Sequence, residues 1–363
     1  MEKSSKKKLT KIKDEPIINT EPPIDFIPSI DELINNFELL ITFVQTLDDK
    51  TAVFKIREYV DAINILKGLP ADLPLTMDNI KKRFTEFGKK NPVKIYSKIN
   101  EYLSYGKISE VEEIRNDPHM RLISLFIDLY GVGIKKAIDI VDNKKIKSIP
   151  ELKEFIKSNP KYFNDKQKIG LKYYDDLQER IPRSDIDAFN ELLLNTLKEI
   201  DKKASLVITG SYRRGKSSSG DIDILITTPD DDVSILKNKL IKALQELDIL
   251  KETLADGVKK FMGICEINHK FRHVDILATT PKEYPFASLY FTGSKKFNTI
   301  MRSWALDQGY SLNEYGLIHK LTGIKITSDE IKLKIGKDKF ENEHDIFDFL
   351  DFEYKSPSER DLS

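Results

Sequence analysis

The 363-residue sequence has very little cysteine, very little tryptophan and no net charge. Its lone Cys265 can form no disulfide framework and no cysteine-based zinc site, which points to a reducing compartment. No apolar run approaches the length of a membrane span, and no signal peptide is expected before the first domain. Lys+Arg and Asp+Glu both number 59. That balance runs against the basic excess usual for proteins that bind nucleic acid. The distribution is uneven, however. Between Thr76 and Lys107 stand eight Lys/Arg against three acids, and after Ser328 eleven acids against six bases. A basic front and an acidic rear suit a protein that grips phosphate on one side.

Hydrophobic residues make up 40% and charged residues 33%, as in a soluble multidomain protein. Residues 1–28, Lys-rich and then Pro-rich, read as a basic disordered tail. Residues 29–117 read as a small helical bundle of four helices. Asp31 opens the first, Phe54 to Leu66 and Met77 to Phe87 follow, and Val93 to Tyr105 ends at Gly106. Asn116-Asp117-Pro118 marks a boundary. In residues 118–181 two helices flank Gly131-Val132-Gly133. At Ile181-Pro182 the period changes. Ser205 to Thr209, Asp221 to Thr227 and Val274 to Ala278 are strand-like, giving an α+β domain over residues 182–284. Residues 285–363 form a further mixed segment holding Trp304.

The chemistry centres on the run Gly210-Ser211-Tyr212-Arg213-Arg214-Gly215-Lys216-Ser217-Ser218-Ser219-Gly220-Asp221-Ile222-Asp223. Gly210, Gly215, Lys216 and Ser217 fit the P-loop spacing. A P-loop must open directly into a helix, whereas this run continues into an alternating strand, so that reading is rejected. Asp221 and Asp223, two apart on a strand, point to one face, while Ile222, Ile224 and Ile226 point to the other. Paired carboxylates repel unless a cation lies between them, and hard oxygen donors suit Mg²⁺. The preceding Ser/Gly/Arg loop offers hydroxyls, amides and guanidinium groups to a polyphosphate. Alone, Asp-x-Asp is more often a solvated strand edge. Asp275, set between Val274 and Ile276 in a second strand, supplies a third carboxylate that needs a partner if buried. Three aspartates, two ions and a nucleoside triphosphate make a coherent site.

The Gly-Ser-Tyr-Arg-Arg-Gly…Ser-Ser-Gly-Asp-Ile-Asp run resembles the family X DNA polymerases, most closely those of the beta type. Further motifs resemble the family in the same order. These are Arg180-Ile181-Pro182-Arg183, Lys260-Phe261-Met262-Gly263, Tyr290-Phe291-Thr292-Gly293-Ser294, Phe297-Asn298, Met301-Arg302, Asn313-Glu314-Tyr315 and Asp345-Ile346-Phe347-Asp348. The likeness runs from about residue 31 to 360. It implies a lyase-like bundle, a helix-hairpin-helix subdomain, a catalytic palm with a mixed sheet, and a C-terminal nucleotide-selection subdomain. It implies that Asp221 and Asp223 bind both metal ions, and that Asp275 binds the catalytic ion and accepts the primer hydroxyl proton. By the same resemblance Arg180, Ser211, Arg214, Ser219 and Gly220 hold the triphosphate, and Tyr290, Phe291 and Gly293 line the sugar. Asn298 would touch the base edge, and Lys260 and Arg302 the template.

In the bundle, Lys94-Ile95-Tyr96-Ser97-Lys98 resembles the family's deoxyribose-phosphate lyase helix. Lys98 stands at the Schiff-base position, where crowding by other cations would favour the neutral amine. Lys55, Tyr59 and Lys94 match phosphate-pocket positions. Gly131 and Gly133 would present backbone groups to a DNA phosphate and carbonyls to a monovalent cation. The implied ligands are two Mg²⁺ ions, with Mn²⁺ as a substitute, together with deoxynucleoside triphosphates and gapped or nicked DNA. A monomer in the nucleus or another DNA-containing compartment is expected, and no membrane association.

The sequence also departs from the family. Lys90-Asn91-Pro92 replaces a Gly-x-Gly hairpin, and Phe54 a pocket histidine. His273 and Leu277 replace arginines near the catalytic aspartates, and Lys295 an aspartate. Loss of a cation at Leu277 is expected to weaken the restraint on Asp223 and so reduce discrimination. Three rivals remain: another nucleotidyltransferase, a template-independent terminal transferase and a non-catalytic DNA-binding scaffold. The first lacks Tyr-Phe-Thr-Gly-Ser. Asn298 and Arg302 disfavour the second, and the three aspartates disfavour the third.

Overall fold

The computed structural model describes residues 26–47, 50–69, 73–89, 91–229 and 232–361. The tail expected over 1–28 therefore lies outside the described residues up to position 25, as does Lys90.

The chain begins with five helices: α1 (Ile30–Thr46), α2 (Ala52–Lys67), α3 (Met77–Glu86), α4 (Val93–Tyr105) and α5 (Ser109–Asn116). Four were expected. The fifth is short and rich in acids, and only Val111 and Ile114 mark its buried side. Ser29 and Thr76 cap α1 and α3 by accepting hydrogen bonds from backbone N–H groups. Gly106 ends α4 in the left-handed region at φ 70°.

Next come α6 (Pro118–Ile127) and α7 (Ile134–Ile138), joined by the glycine turn, then a π-helical turn, Asp139–Asn143. They are followed by α8 (Ile149–Ser158), α9 (Asp165–Lys172) and α10 (Tyr174–Gln178). One hydrophobic cluster runs from Leu33 to Leu171, across the turn at Asp117.

The α+β part opens with β1 (Ile181–Pro182), α11 (Arg183–Ile200), β2 (Ser205–Ile208), α12 (Gly210–Arg213), β3 (Ser218–Ser219) and β4 (Ile222–Thr227). It continues through α13 (Val233–Glu246), β5 (Leu250–Asp256), β6 (Lys260–Ile267) and β7 (Lys270–Ala278). Five strands make a mixed sheet in the order β2-β4-β7-β6-β5. Only β4 and β7 pair in parallel. The crossover between them carries α13 and the β5–β6 hairpin. Ile222, Ile224 and Ile226 are buried on the side that packs with Leu193, Leu197 and Leu240.

The C-terminal part comprises α14 (Tyr284–Thr292), α15 (Lys295–Asp307), the hairpin β8 (Tyr310–Asn313) and β9 (Gly316–His319), α16 (Ser328–Ile335) and α17 (Glu343–Phe349). A last 3-10 turn, Pro357–Arg360, closes the chain onto a third core around Phe297, Phe347 and Phe349. The helical part meets this part where Asp31 of α1 pairs with Lys296 of α15 at 3.3 Å. Among the described residues no helix is long and apolar enough to cross a membrane.

Candidate active site

Parallel pairing of β4 with β7 puts Asp223 directly beside Asp275, with Ile222 beside Val274 and Ile224 beside Ile276. Asp221 is exposed and immediately precedes β4. Burial pushes the Asp223 carboxyl up to about 7, and the charges of Asp221 and Asp275 add to the shift. Burial also raises Asp275, against the opposing charges of His273 and Lys260. Lys260 Nζ lies 3.5 Å from Asp275 Oδ2, and His273 Nδ1 lies 3.4 Å from Oδ1. Even so, Oδ1 is buried and accepts no hydrogen bond. A buried, unsatisfied carboxylate oxygen beside two further aspartates fits a divalent cation. Among the described residues no three His, Cys, Asp or Glu side chains are closed around an ion position. The Asp223 carboxylate stands so close to the α-carbon of Gly210 that a Cβ there would collide with it.

The loop expected to hold phosphate, from α12 through β3, leads directly into β4. After Ser217 the chain enters β3, which pairs with β1, and no helix opens there. The P-loop spacing is thus coincidental. Arg180 donates from Nε to Ser218 Oγ at 2.8 Å and from a terminal nitrogen to Ser218 O at 2.6 Å. Ser211 donates to the buried Ser219 at 2.8 Å. Arg214 donates to Thr292 O at 2.7 Å and to Asp361 at 2.9 Å. Gly220 has open space where a Cβ would stand.

Tyr290 and Phe291 close α14, with ring centroids 5.6 Å apart. Gly293 follows at φ 66°, and the Gly293–Ser294 peptide is cis. Ser294 caps α15. One turn on, Asn298 Nδ2 donates to Tyr290 O at 2.7 Å, and the Arg302 guanidinium lies 4.9 Å from the Tyr290 ring centroid. Asn298 and Arg302 are therefore folded onto Tyr290. Lys260, expected at the template, here faces Asp275 and lies 5.9 Å from the Phe291 ring centroid. Leu277 is buried against Leu225 and Ala287, and the cations acting on Asp223 are Lys260 and Arg214.

In the helical part Lys98 forms an ion pair with Glu110 of α5. The charged group it meets is thus an anion. Tyr59 is buried, and burial followed by the charges of Glu110 and Glu58 raises its hydroxyl pKa. Lys94 lines a cavity of about 470 Å³ with Glu58, Asp61 and Lys89. Lys55 lies on α2, next to the exposed Phe54. At the glycine turn, Gly131 adopts φ 77° and its carbonyl accepts from Gln167 Nε2 at 2.8 Å. Gly133 starts α7, with open space at its α-carbon.

Sequence reasoning missed Glu110 and Asp361, since nothing in an acid-rich stretch tells which acid meets which base. It also missed the buried ionic cluster in which Glu343 accepts from Arg213 at 2.5 Å, from Ser288 at 2.5 Å and from Arg360 at 2.7 Å.

Comparison with known proteins gives three successive matches. Residues 124–178 match the fingers domain of DNA polymerase lambda, 180–281 the DNA polymerase beta palm, and 287–361 the DNA polymerase beta thumb. The chain is 30% identical to DNA polymerase lambda of Arabidopsis thaliana over 94% of its own length and 63% of the relative. It is 28% identical to DNA polymerase lambda of Rattus norvegicus over 73% of its length and 46% of the relative. It is 25% identical to the DNA-directed DNA/RNA polymerase mu of Homo sapiens over 84% and 64%. The chain thus spans less than two thirds of each of these relatives.

Proposed function

Because the chain belongs to family X of the DNA polymerases and is related to the beta enzyme, we propose that it fills short gaps in DNA during repair by template-directed addition of deoxynucleotides. The observation that carries this reading is the register of Asp223 beside Asp275, with Asp275 Oδ1 buried and unsatisfied.

Asp221, Asp223 and Asp275 would hold two Mg²⁺ ions, or Mn²⁺ in their place. When bound, such ions neutralise the triphosphate and acidify the attacking hydroxyl. Asp275 is the nearest base for the primer 3′-hydroxyl proton. Arg180, Ser211, Arg214, Ser219 and Gly220 hold phosphate oxygens, with guanidinium groups offering paired donors. Tyr290, Phe291 and Gly293 shape the sugar pocket. Asn298 meets the base edge in the minor groove, while Lys260 and Arg302 reach the template.

A second activity is proposed for the helical part. Lys98 attacks the aldehyde of a 5′-deoxyribose phosphate, and Lys55, Tyr59 and Lys94 hold the phosphate. Gly131 and Gly133 meet the DNA backbone, with a monovalent cation at the Gly131 turn. The protein works as a monomer on gapped or nicked DNA in the nucleus or another DNA-containing compartment.

One substrate tests both activities: a one-nucleotide gap bearing a 5′-deoxyribose phosphate, incubated with borohydride. Metal-dependent insertion of the complementary nucleotide and a trapped covalent adduct are expected. Equal extension of a primer without template would replace this reading with a terminal transferase. Incorporation undiminished in Asp275→Ala would end the polymerase reading.

A further inference from the structure

Arg214 and Lys216, two cations of the phosphate loop, share one carboxylate from far along the chain. Asp361 accepts the Nε–H of Arg214 through Oδ1 at 2.9 Å, and its other oxygen pairs with the Lys216 ammonium. The segment that brings Asp361 there is firmly held. Arg360 is fully buried, donating from Nε to Lys355 O at 2.9 Å and from a terminal nitrogen to Glu343 at 2.7 Å. Its carbonyl accepts from Ser294 N at 3.3 Å, beside the sugar pocket. Burial pulls the Asp361 carboxyl upward, but the hydrogen bonds from Lys216 and Arg214 outweigh it and keep the group ionised.

Arg214 is gripped on two sides. Nε meets Asp361, and one terminal nitrogen meets Thr292 O at 2.7 Å. A Cβ added at Gly293 would stand 3.4 Å from that terminal nitrogen, so bare backbone leaves just enough room for the guanidinium. A guanidinium carries five N–H donors. Among the described residues two are committed to these contacts, which leaves the second terminal nitrogen to meet an anion. One carboxylate against two cations also leaves a local excess of positive charge.

We propose that Asp361 is a positioning residue for the incoming triphosphate, fixing Arg214 and Lys216 from behind so that phosphate oxygens meet preset donors. The proposal rests on the polymerase reading above. A free arginine or lysine side chain loses rotamer freedom when it meets a ligand, and a pre-held one has already lost it.

The test uses the full chain carrying Asp361→Ala, Asp361→Asn or Asp361→Glu on a one-nucleotide gap. KM for the complementary nucleotide rises roughly five- to tenfold in Asp361→Ala, from the cost of ordering one or two long side chains, with kcat nearly unchanged. Asp361→Glu recovers most of the loss. In an Arg214→Ala background, Asp361→Ala adds much less than it does alone, because it acts through that side chain. A fall in KM would overturn the proposal, since Asp361 would then be a competitor that the triphosphate must displace. Full additivity with Arg214→Ala would overturn it too. Binding of inorganic pyrophosphate, followed by calorimetry without DNA, separates this idea from the polymerase reading. Weaker binding by Asp361→Asn than by wild type supports positioning even if no nucleotide is incorporated, and equal binding rejects it.

Discussion

The carboxylate of Asp223 lies against the α-carbon of Gly210, so close that no side chain fits between them. Gly210 also adopts φ 57°, in the left-handed region that L-residues avoid. Gly210→Ala should therefore push Asp223 out of place and strain the start of α12. A displacement of about 1 Å at a catalytic group costs on the order of a hundredfold, so kcat/KM for nucleotide insertion should fall by that order. The strain itself should cost about 1–2 kcal/mol of stability. A Gly210→Ala variant with wild-type kcat/KM would show that Asp223 has no fixed role.

Asp275→Asn keeps the shape of the side chain and removes its charge and its basicity. Insertion should drop at least about a thousandfold, near the upper range for a lost general base. Gapped-DNA affinity, measured by fluorescence anisotropy, should stay near wild type. Loss of DNA binding in parallel with activity would mean that Asp275 is structural.

Lys98→Ala should lose most borohydride trapping and keep gap filling, because α4 and the sheet belong to separate parts of the chain. Glu110→Gln adds a second readout, since Glu110 is the anion paired with Lys98. The neutral amide releases Lys98 from its ion pair, so trapping at a fixed pH should be faster than in wild type. An unchanged rate would mean that the pair is broken when substrate binds.

Much of the candidate site was legible because β-strand alternation is strict. Asp221, Asp223 and Asp275 each sit beside β-branched or aliphatic neighbours, and that pattern placed all three carboxylates at the sheet. The β5–β6 hairpin was not legible, because its register slips twice and breaks strand alternation. The short α5 was hidden because it is mostly polar and charged, and with it the carboxylate that meets Lys98. Pairs such as Arg214 with Asp361 join residues 147 positions apart. Local periodicity carries no information about such a partner, which only tertiary packing determines.

Glu343 gives a prediction about acid. Its carboxyl is buried, which alone would raise its pKa, but the charges of Arg360 and Arg213 hold it below the ordinary 4.5. A group depressed in the folded state adds stability above its unfolded value and loses that contribution as pH falls through the folded value. Glu343→Gln should cost about 3 kcal/mol near neutrality, because the buried guanidinium of Arg360 and the partly buried one of Arg213 lose their counter-charge. The gap between the two Tm curves should narrow as pH drops below 4.5. A gap that is constant with pH would show that the ion pairs contribute nothing.

Cys265 is buried in β6, and burial pushes its thiol up to about 12. The thiolate is the reactive form. Alkylation by iodoacetamide at mildly alkaline pH should therefore be negligible in the folded protein and complete in denaturant, as mass spectrometry would read it. Rapid labelling of the native chain would mean that the sheet opens at that strand.

The parallel pairing of β4 with β7 also bears on the order in which the chain is made. A ribosome that has released the chain as far as residue 269 has delivered Asp221, Asp223 and the loop before them, but not the strand that carries Asp275. Under the proposed polymerase function such a nascent chain would be chemically silent, and a half-made molecule would extend no primer until β7 stood between β4 and β6.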